Sequence, residues 1–576
     1  MPTNDSRDGA VLAAMTTAAA GGPGGLRYGE DWYPYSTIGA WADRIADDLR
    51  RRGAGPHTVI AVRLPAGPLH LATVWAVARA GGVQLYLDPR WPRAHAEQIL
   101  RRSGAHLVVT TGGAADTPPC TLEFLARPAA GTPDPDHLDS AGSPLACLVS
   151  TSGTTGGARL VALTHAGIAH LVRDSDLTGL HAGDRLLALA HPGFGASLWE
   201  LWAATDAGAT LIVPRDRTMS LDDLLDQVTG TRTSVVHLPA GVFRQIEADR
   251  FARLDGVRLL MTGGDTVPAA HFHAVAARFP GTLVACYGCT ENSVFTSQYR
   301  AGDSPADDRP LPLGTPLRGT RLRVLAGPGG TGEIQVAGIG VAAGYLNDAP
   351  ATADRFTADE TGARAYRTGD FAARHPDGTD RLTGRRDRQV QVRGFRVELA
   401  EVEGVLCGLP GVRDAHVLRW DPTGDDPQLV AVLTGDHQAD AGAVLAAARE
   451  SLPDFMVPDR AVVTSGLPLT ERGKVDAAAV RRLLTGPAAP TGPAAPAGDD
   501  ITARVHRIWR HVLHRDDVGL DTHFADCGGH SLRATQIIAR IRDDLGIRLS
   551  MRQFFDAPTV RELSAQVRHL HQTRSR

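Results

Sequence analysis

Cysteine is scarce in this chain, with six in 576 residues, too few and too dispersed for a disulfide framework. Cys286 and Cys289 form one C-x-x-C, but no second pair or suitably spaced histidines follow, so neither a zinc site nor dithiol chemistry is expected. A surplus of either charge is also missing. Sixty Lys and Arg face 64 Asp and Glu, for a net charge of -4, which argues against a basic nucleic-acid surface. No uninterrupted apolar stretch reaches the roughly 18 residues of a membrane-spanning helix. The Ala- and Gly-rich stretch to Gly25, interrupted by Asp5 and Asp8, lacks the basic start and apolar run of a signal peptide. A cytoplasmic protein with no nucleic-acid or membrane partner is expected.

What is present is length and punctuation. At about 150 residues per domain the chain suggests three or four units. Residues 1–25 read as a flexible segment. Residues 485–499 turn to Pro, Ala and Gly, a composition that buries no core and reads as a linker. At about 3.1 Å per extended residue it reaches at most roughly 50 Å. Beyond it, residues 500–572 carry three helical stripes. Ile501, Val505, Ile508, Trp509, Val512 and Leu513 form the first. Leu532, Ile537, Ile538 and Ile541 form the second, between Ser531 and a Gly546 stop. Val560, Leu563, Val567 and Leu570 form the third, with Thr559 and Glu562 as a capping box after Pro558. Before the linker, short apolar runs (Ala146 to Val149, Ala209 to Val213, Thr233 to His237, Arg258 to Met261, Leu283 to Cys286) alternate with helical stretches, the pattern of α/β layers with parallel strands.

Two runs carry chemistry. Thr151, Ser152, Gly153, Thr154, Thr155, Gly156, Gly157, Ala158 and Arg159 follow an apolar strand as a loop of hydroxyls, glycines and one cation. Glycines let backbone N–H groups approach an anion, and the hydroxyls and arginine add donors and charge. The lysine-serine/threonine ending of a nucleoside-triphosphate P-loop is absent, so the loop alone reads as an anion cradle or a solvated turn. The second run, Phe524-Ala525-Asp526-Cys527-Gly528-Gly529-His530-Ser531-Leu532, opens a helix with a serine that is either an N-cap or an attachment point.

The second run resembles the phosphopantetheine site of peptidyl and acyl carrier domains. The first resembles the phosphate loop of the adenylate-forming superfamily, which includes nonribosomal peptide synthetase adenylation domains. Further motifs of that superfamily follow in order. They are Leu87-Asp88-Pro89, Tyr287-Gly288-Cys289-Thr290-Glu291, Gly332-Glu333-Ile334, Gly344-Tyr345-Leu346, Tyr366-Arg367-Thr368-Gly369-Asp370, Gly384-Arg385-Arg386-Asp387, Val392-Arg393-Gly394-Phe395-Arg396-Val397-Glu398, Leu452-Pro453-Asp454-Phe455 and Gly473-Lys474-Val475-Asp476.

The resemblance implies an adenylation-carrier didomain of three parts. A large α/β adenylation N-terminal subdomain spans 26–386 and a smaller α+β C-terminal subdomain spans 387–484. An all-α four-helix-bundle carrier domain follows at 500–572. It implies ATP, Mg²⁺ and 4'-phosphopantetheine as cofactors. Lys474 would bridge the substrate carboxylate and the nucleotide, and Thr151, Ser152, Gly153, Thr154, Thr155, Gly156 and Arg159 would cradle phosphates. Tyr287, Thr290, Asp370 and Arg385 would contact the nucleotide, Asp370 by accepting from the ribose hydroxyls. Glu291 would hold Mg²⁺, Asp387 would be the hinge, and Ser531 would carry the arm. The implied partners are a small carboxylic acid, a phosphopantetheinyl transferase and a downstream condensation, tailoring or ketosynthase-type enzyme. An activator of the MbtH type binds some relatives. The chain lacks a His-His-x-x-x-Asp-Gly condensation motif and a Gly-x-Ser-x-Gly hydrolase elbow, so peptide-bond formation and release by those routes fall to other proteins.

Two departures from the family pattern matter. The phosphate loop ends Ala158-Arg159-Leu160 instead of Pro-Lys-Gly, and arginine differs from lysine in reach and geometry. In Phe194-Gly195-Ala196-Ser197-Leu198-Trp199-Glu200, Gly195 stands where α-amino-acid enzymes place an aspartate against the substrate ammonium. An unpaired buried ammonium is costly. The expected substrate therefore lacks a conventional α-ammonium, as an aryl acid, aminobenzoate, β-amino acid or α-keto or α-hydroxy acid does. The alternatives are an α-amino acid in a rearranged pocket, release to free coenzyme A, and a carrier scaffold with a degenerate adenylation domain. The remaining walls, counted from flanking motifs, are Ala196, Trp199, Gly241, Met261, Gly263, Cys286, Val294 and Phe295, none of them charged. Asp265 lies nearby and is not credited as a substitute counterion.

Overall fold

The computed structural model describes residue 15 and residues 17–574, apart from 112–121, 127–144, 152–157, 175–176, 218, 304–308, 326, 328–329, 386–388, 393–394, 422–426, 436–439, 465–500, 514–517, 528 and 530. Two compact units result. One comprises residues 1–215 and 228–398, and the other 216–227 and 399–576.

The first unit is built on two large sheets. In one, the strands Val59–Val62, Val83–Tyr86 and Leu107–Thr111 are mostly apolar and buried, and they pair in parallel at the centre. Such continuous Val/Ile/Leu burial is what a sheet covered on both faces demands. Leu145–Thr151 joins this sheet in parallel and returns antiparallel as Arg159–Thr164, with Thr151 opposite Arg159. The phosphate-type loop therefore connects two neighbouring strands. The second sheet runs Ser297–Arg300, Thr282–Tyr287, Leu259–Gly263, Val235–Pro239, Arg185–Leu187, Thr210–Val213, Gly25–Tyr28 and Asp31–Pro34, with Thr315–Pro316 at one edge. From Thr282–Tyr287 to Gly25–Tyr28 its pairings are parallel. The five apolar runs singled out in the sequence all become strands of these two sheets.

An antiparallel sheet of Thr320–Val324, Thr331–Gly338, Arg364–Arg374, Phe356–Ala358 and Asp380–Arg385, and a hairpin of Gln389–Val392 with Phe395–Glu398, complete the unit. Met15 and Ala18, within the stretch expected to be flexible, are buried in the main core. Ala19 packs against the same core, its methyl lying where Gly39 has no side chain.

The second unit begins as an α+β body. The strands Val412–Trp420, Gln428–Gly435 and Arg460–Thr464 form its sheet, beside the helices Leu399–Cys407 and Ala441–Arg449. The helical tail follows, with Ile501–Leu513, Ser531–Leu545 and Val560–Arg574 in the places the three stripes mark. Gly546 ends the second of these helices with φ 68°, the left-handed conformation that glycine adopts without a Cβ penalty. The Thr559 N–H donates to Glu562 Oε2 and the Glu562 N–H to Thr559 Oγ1, both at 3.2 Å, so the capping box closes. Among the described residues of the tail, the three stripes leave out the five-residue α-helix Met551–Phe555, which has its own capping box from Ser550 and Gln553. It is too short for a periodic stripe, yet its Phe554 meets Phe524 and Trp509 at centroid distances of 4.8 and 5.9 Å in the tail core.

Candidate active site

Asp370 lies on the strand Arg364–Arg374, and its carboxylate is almost entirely buried. Its Oδ2 accepts from the Tyr287 hydroxyl at 2.8 Å, and its Oδ1 pairs with Arg385. Three of the residues expected around a nucleotide are thus brought together from strands up to 98 residues apart in sequence, Tyr287 to Arg385. Burial pushes the Tyr287 phenol well above its ordinary pKa, and the neighbouring Asp370 charge adds to the rise, so it remains a donor. The Arg385 guanidinium also donates to Gln389 Oε1 at 2.9 Å.

Glu291 sits in the turn Thr290–Asn292, fully enclosed. Its Oε1 accepts from the Tyr345 hydroxyl at 3.0 Å, and its Oε2 lies 3.1 Å from Arg396. Tyr345 and Tyr366 share a hydrogen bond of 3.2 Å. Burial alone would raise the Glu291 pKa, but the Arg396 charge and these hydrogen bonds outweigh it and hold the carboxyl below its ordinary value. Arg396 donates as well to Gln389 Oε1, which therefore gathers donors from two arginines. Gln389, Arg396, Tyr345 and Tyr366 were not singled out in the sequence. The last three fall inside the ordered motifs, and that position was the only available signal.

Thr151 and Arg159 flank the phosphate-type loop, and Thr290 begins the turn that carries Glu291. Arg159 stacks over the Tyr345 ring at 5.2 Å and lies 3.8 Å from Asp348, so its charge is already engaged beside the Glu291 cluster. Ser152, Gly153, Thr154, Thr155 and Gly156 lie outside the described residues, as do Asp387, Lys474 and the linker at 485–499. Ser531 is the first residue of its helix. Among the described residues no three His, Cys, Asp or Glu side chains converge as a metal site.

Of the positions counted as acyl-pocket walls, Met261, Gly263 and Cys286 lie on the second sheet, Val294 and Phe295 between Thr290–Asn292 and Ser297–Arg300, and Gly195, Ala196 and Trp199 on the helix Gly195–Ala207. That helix is anchored by buried Glu200, whose Oε1 accepts from the backbone N–H groups of Leu189 and Ala190 at 3.0 Å. Gly195 opens the helix, and Trp199 follows one turn later with its ring 5.9 Å from Phe295. A Cβ placed on Gly195 would come 3.0 Å from Val294 Cγ2. Val294 is held there by an unusual backbone, with φ 84° after Ser293 at 48°. A β-branched residue in that region is strained, and the surrounding structure must enforce it. At Gly263 a Cβ would lie 2.4 Å from the Cys286 carbonyl oxygen, so a side chain is excluded between the strands. Gly241 lies in the short helix Ala240–Phe243, beside Arg244. Arg244 in turn pairs with Asp265 at 3.4 Å, both side chains being 4% exposed. Asp265 is therefore engaged with a protein cation. Cys286 is buried and Cys289 half-buried, both as free thiols.

Around the entrance to this helix, His191 contacts Asp88 and lies against Tyr86, Phe194 and Phe395. Burial would raise the Asp88 pKa, but hydrogen bonds from His191 and Arg90 hold the carboxyl well below its usual range.

Buried Asp370 with its tyrosine and arginine, enclosed Glu291 with its own tyrosine and arginine, and the helical tail agree with the ordered motifs of an acid-activating enzyme joined to a carrier domain. Family models match in the same order. "AMP-binding enzyme" covers residues 16–346, "AMP-binding enzyme C-terminal domain" 401–474 and "Phosphopantetheine attachment site" 503–567. Novobiocin biosynthesis protein H of Streptomyces niveus is 35% identical over 92% of this chain and 91% of its own length. Phosphinothricin tripeptide synthetase PhsC of Streptomyces viridochromogenes is 35% identical over 92% of this chain and 50% of its own length. A solved structure of holo-PA1221, described as an NRPS protein containing adenylation and PCP domains bound to a vinylsulfonamide inhibitor, superposes with a TM-score of 0.80 at 26% identity, covering 98% of each chain. The chain belongs to the AMP-binding enzyme family and has the adenylation-carrier organisation of nonribosomal peptide synthetases. Against the larger synthetases it spans a small share, 7% of the probable non-canonical nonribosomal peptide synthetase CymA of Salinispora arenicola. Enzymes of this family are ATP-dependent acid-AMP ligases, and phosphopantetheine, ATP and Mg²⁺ are the cofactors that accompany the two domains. No described helix is long and apolar enough to cross a membrane.

Proposed function

We propose that this chain adenylates a small carboxylic acid lacking a conventional α-ammonium and transfers it as a thioester to a phosphopantetheine arm on Ser531. The observation that carries the substrate reading is the Gly195–Val294 contact. The space where a counterion side chain would begin abuts Val294, and Asp265, which lies close to the pocket positions in sequence, is paired with Arg244. An ammonium in that pocket would lack a carboxylate, whereas an aryl, α-keto or α-hydroxy acid needs none.

In this reading a substrate carboxylate oxygen attacks the α-phosphorus of ATP and pyrophosphate leaves. Lys474 and the hydroxyls and N–H groups of Thr151 to Gly156 offset the negative charge brought together in that step. Asp370, oriented by Tyr287 and Arg385, accepts from the ribose hydroxyls, and Thr290 borders the nucleotide. Mg²⁺ neutralises phosphate charge when bound. Glu291 fits it as a single ionised carboxylate, because this ion takes one or two carboxylates and otherwise phosphate oxygens and water.

The chain is read as a core to residue 386, a mobile subdomain at 387–484 hinged at Asp387, a linker at 485–499 and a four-helix carrier at 500–572. A phosphopantetheinyl transferase would install the arm. A condensation, tailoring or ketosynthase-type enzyme would receive the acyl group in the cytoplasm.

The test is intact-protein mass spectrometry of the phosphopantetheinylated protein with ATP, Mg²⁺ and pooled α-amino, β-amino, aryl and α-keto acids. A mass gain on the arm from an acid without an α-ammonium is the expected result. Ser531→Ala removes the gain and leaves pyrophosphate exchange intact, whereas Lys474→Ala strongly impairs exchange. Loading by α-amino acids alone would overturn the substrate reading.

A further inference from the structure

His237 lies on the strand Val235–Pro239, a strand the acyl-pocket positions do not include. Strand register places it opposite Met261, which in turn faces Val284, while Gly263 faces Cys286. Residues two apart on a strand share a face, so His237, Met261, Gly263 and Cys286 lie on one side of the sheet. Trp199 and Phe295 cover that side, with ring centroids 6.4 and 5.6 Å from the imidazole. His237 is 3% exposed, and neither ring nitrogen has a hydrogen-bond partner among the described residues. Two other buried histidines are anchored: His506 Nε2 bonds the Val518 carbonyl at 2.6 Å, and His170 Nε2 meets Thr320 Oγ1 at 3.3 Å.

Burial draws the imidazole pKa down to about 4, so the ring is neutral at physiological pH, with one N–H donor and one bare nitrogen acceptor. A polar ring left unpaired behind two aromatic pocket walls is poorly suited to a purely apolar ligand, because buried polar groups as a rule find partners. A hydroxyl both donates and accepts, and so matches a neutral imidazole. The flat walls of Trp199 and Phe295 suit a ring that would carry it.

We propose that His237 is a specificity-determining residue that reads a hydroxyl at the far end of the acid, making the substrate a hydroxylated, ring-bearing acid. This rests on the acyl pocket assigned under Proposed function, and it is independent of whether the acid bears an α-ammonium.

The test compares kcat/KM in ATP–pyrophosphate exchange for the full-length protein and its His237→Phe and His237→Asn variants. The acids are matched pairs, benzoate against 3- and 4-hydroxybenzoate, and phenylalanine against tyrosine. Wild type should favour a hydroxylated member by about 10- to 100-fold. His237→Phe should bring the ratio near one without moving the KM for ATP, and His237→Asn, which keeps a donor and an acceptor, should retain part of the preference. If the preference lies in the phenylalanine–tyrosine pair, the reading without an α-ammonium fails and the role of His237 stands. An unchanged preference in both variants, or no preference by wild type in either class, overturns the inference. Should His237→Phe unfold at a much lower temperature, His237→Asn decides alone.

Discussion

Replacing Gly195 with aspartate should do little on its own and much more when Val294 is shortened. The favourable part is the bond between the new carboxylate and a substrate ammonium. Hydrogen bonds to charged groups contribute about 1.5–3 kcal/mol, or about 10- to 150-fold in kcat/KM at 1.4 kcal/mol per tenfold. The unfavourable part is crowding, since the new Cβ would sit 3.0 Å from Val294 Cγ2 and 3.6 Å from its Cβ. Overpacking of this kind costs about 1–3 kcal/mol, and Val294, fixed at φ 84°, has little room to retreat. The two contributions nearly cancel. Gly195→Asp alone should therefore leave α-amino acids within a few-fold of wild type, whereas Gly195→Asp with Val294→Ala should raise them by about tenfold or more over their desamino analogues. Pyrophosphate exchange with each pair, and with Val294→Ala alone as control, measures this. Equal gains in the single and double variants would refute the steric argument. No gain in either would show that position 195 does not govern recognition of the ammonium.

Two further outcomes follow from the same geometry. Tyr287→Phe removes the 2.8 Å hydrogen bond to Asp370 while leaving Arg385 in place; the KM for ATP should rise about tenfold with the KM for the acid unchanged, and a rise in the acid KM instead would place Tyr287 on the other substrate. His237 has its folded pKa drawn down to about 4 from an ordinary value near 6.5, so the unfolded chain binds the proton first as pH falls. Stability is then present above pH 6.5 and lost on the way down to pH 4, by about 3 kcal/mol from this group. Urea unfolding at pH 7.5 and pH 4.5 should show a smaller acid loss in His237→Phe than in wild type, and equal losses would show that the imidazole is not held neutral.

The elements that rest on neighbours in sequence were legible from the start. The Thr559–Glu562 capping box, the Ser531–Leu545 helix with its Gly546 stop and the apolar strands are governed by periodicity and by groups three or four residues apart. The helix Met551–Phe555 escaped because five residues carry no period. At the candidate site, residue types inside ordered motifs named Asp370, Tyr287, Arg385 and Glu291 without any contact being known.

The contacts themselves belong to the tertiary structure. Arg396 reaches Glu291 across 105 positions and Tyr345 across 54, Arg244 takes up Asp265, and Val294 fills the space beside Gly195 through a left-handed backbone turn. His237 looked like one more residue of an apolar strand until strand register set it beside Met261, behind Trp199 and Phe295. The chain by itself determined its elements, its order of domains and the residue types available for chemistry, because these depend on local conformation and composition. Only folding decided which charges pair, which polar group is left without a partner and which side chain occupies the pocket, because each depends on distances that sequence separation does not encode.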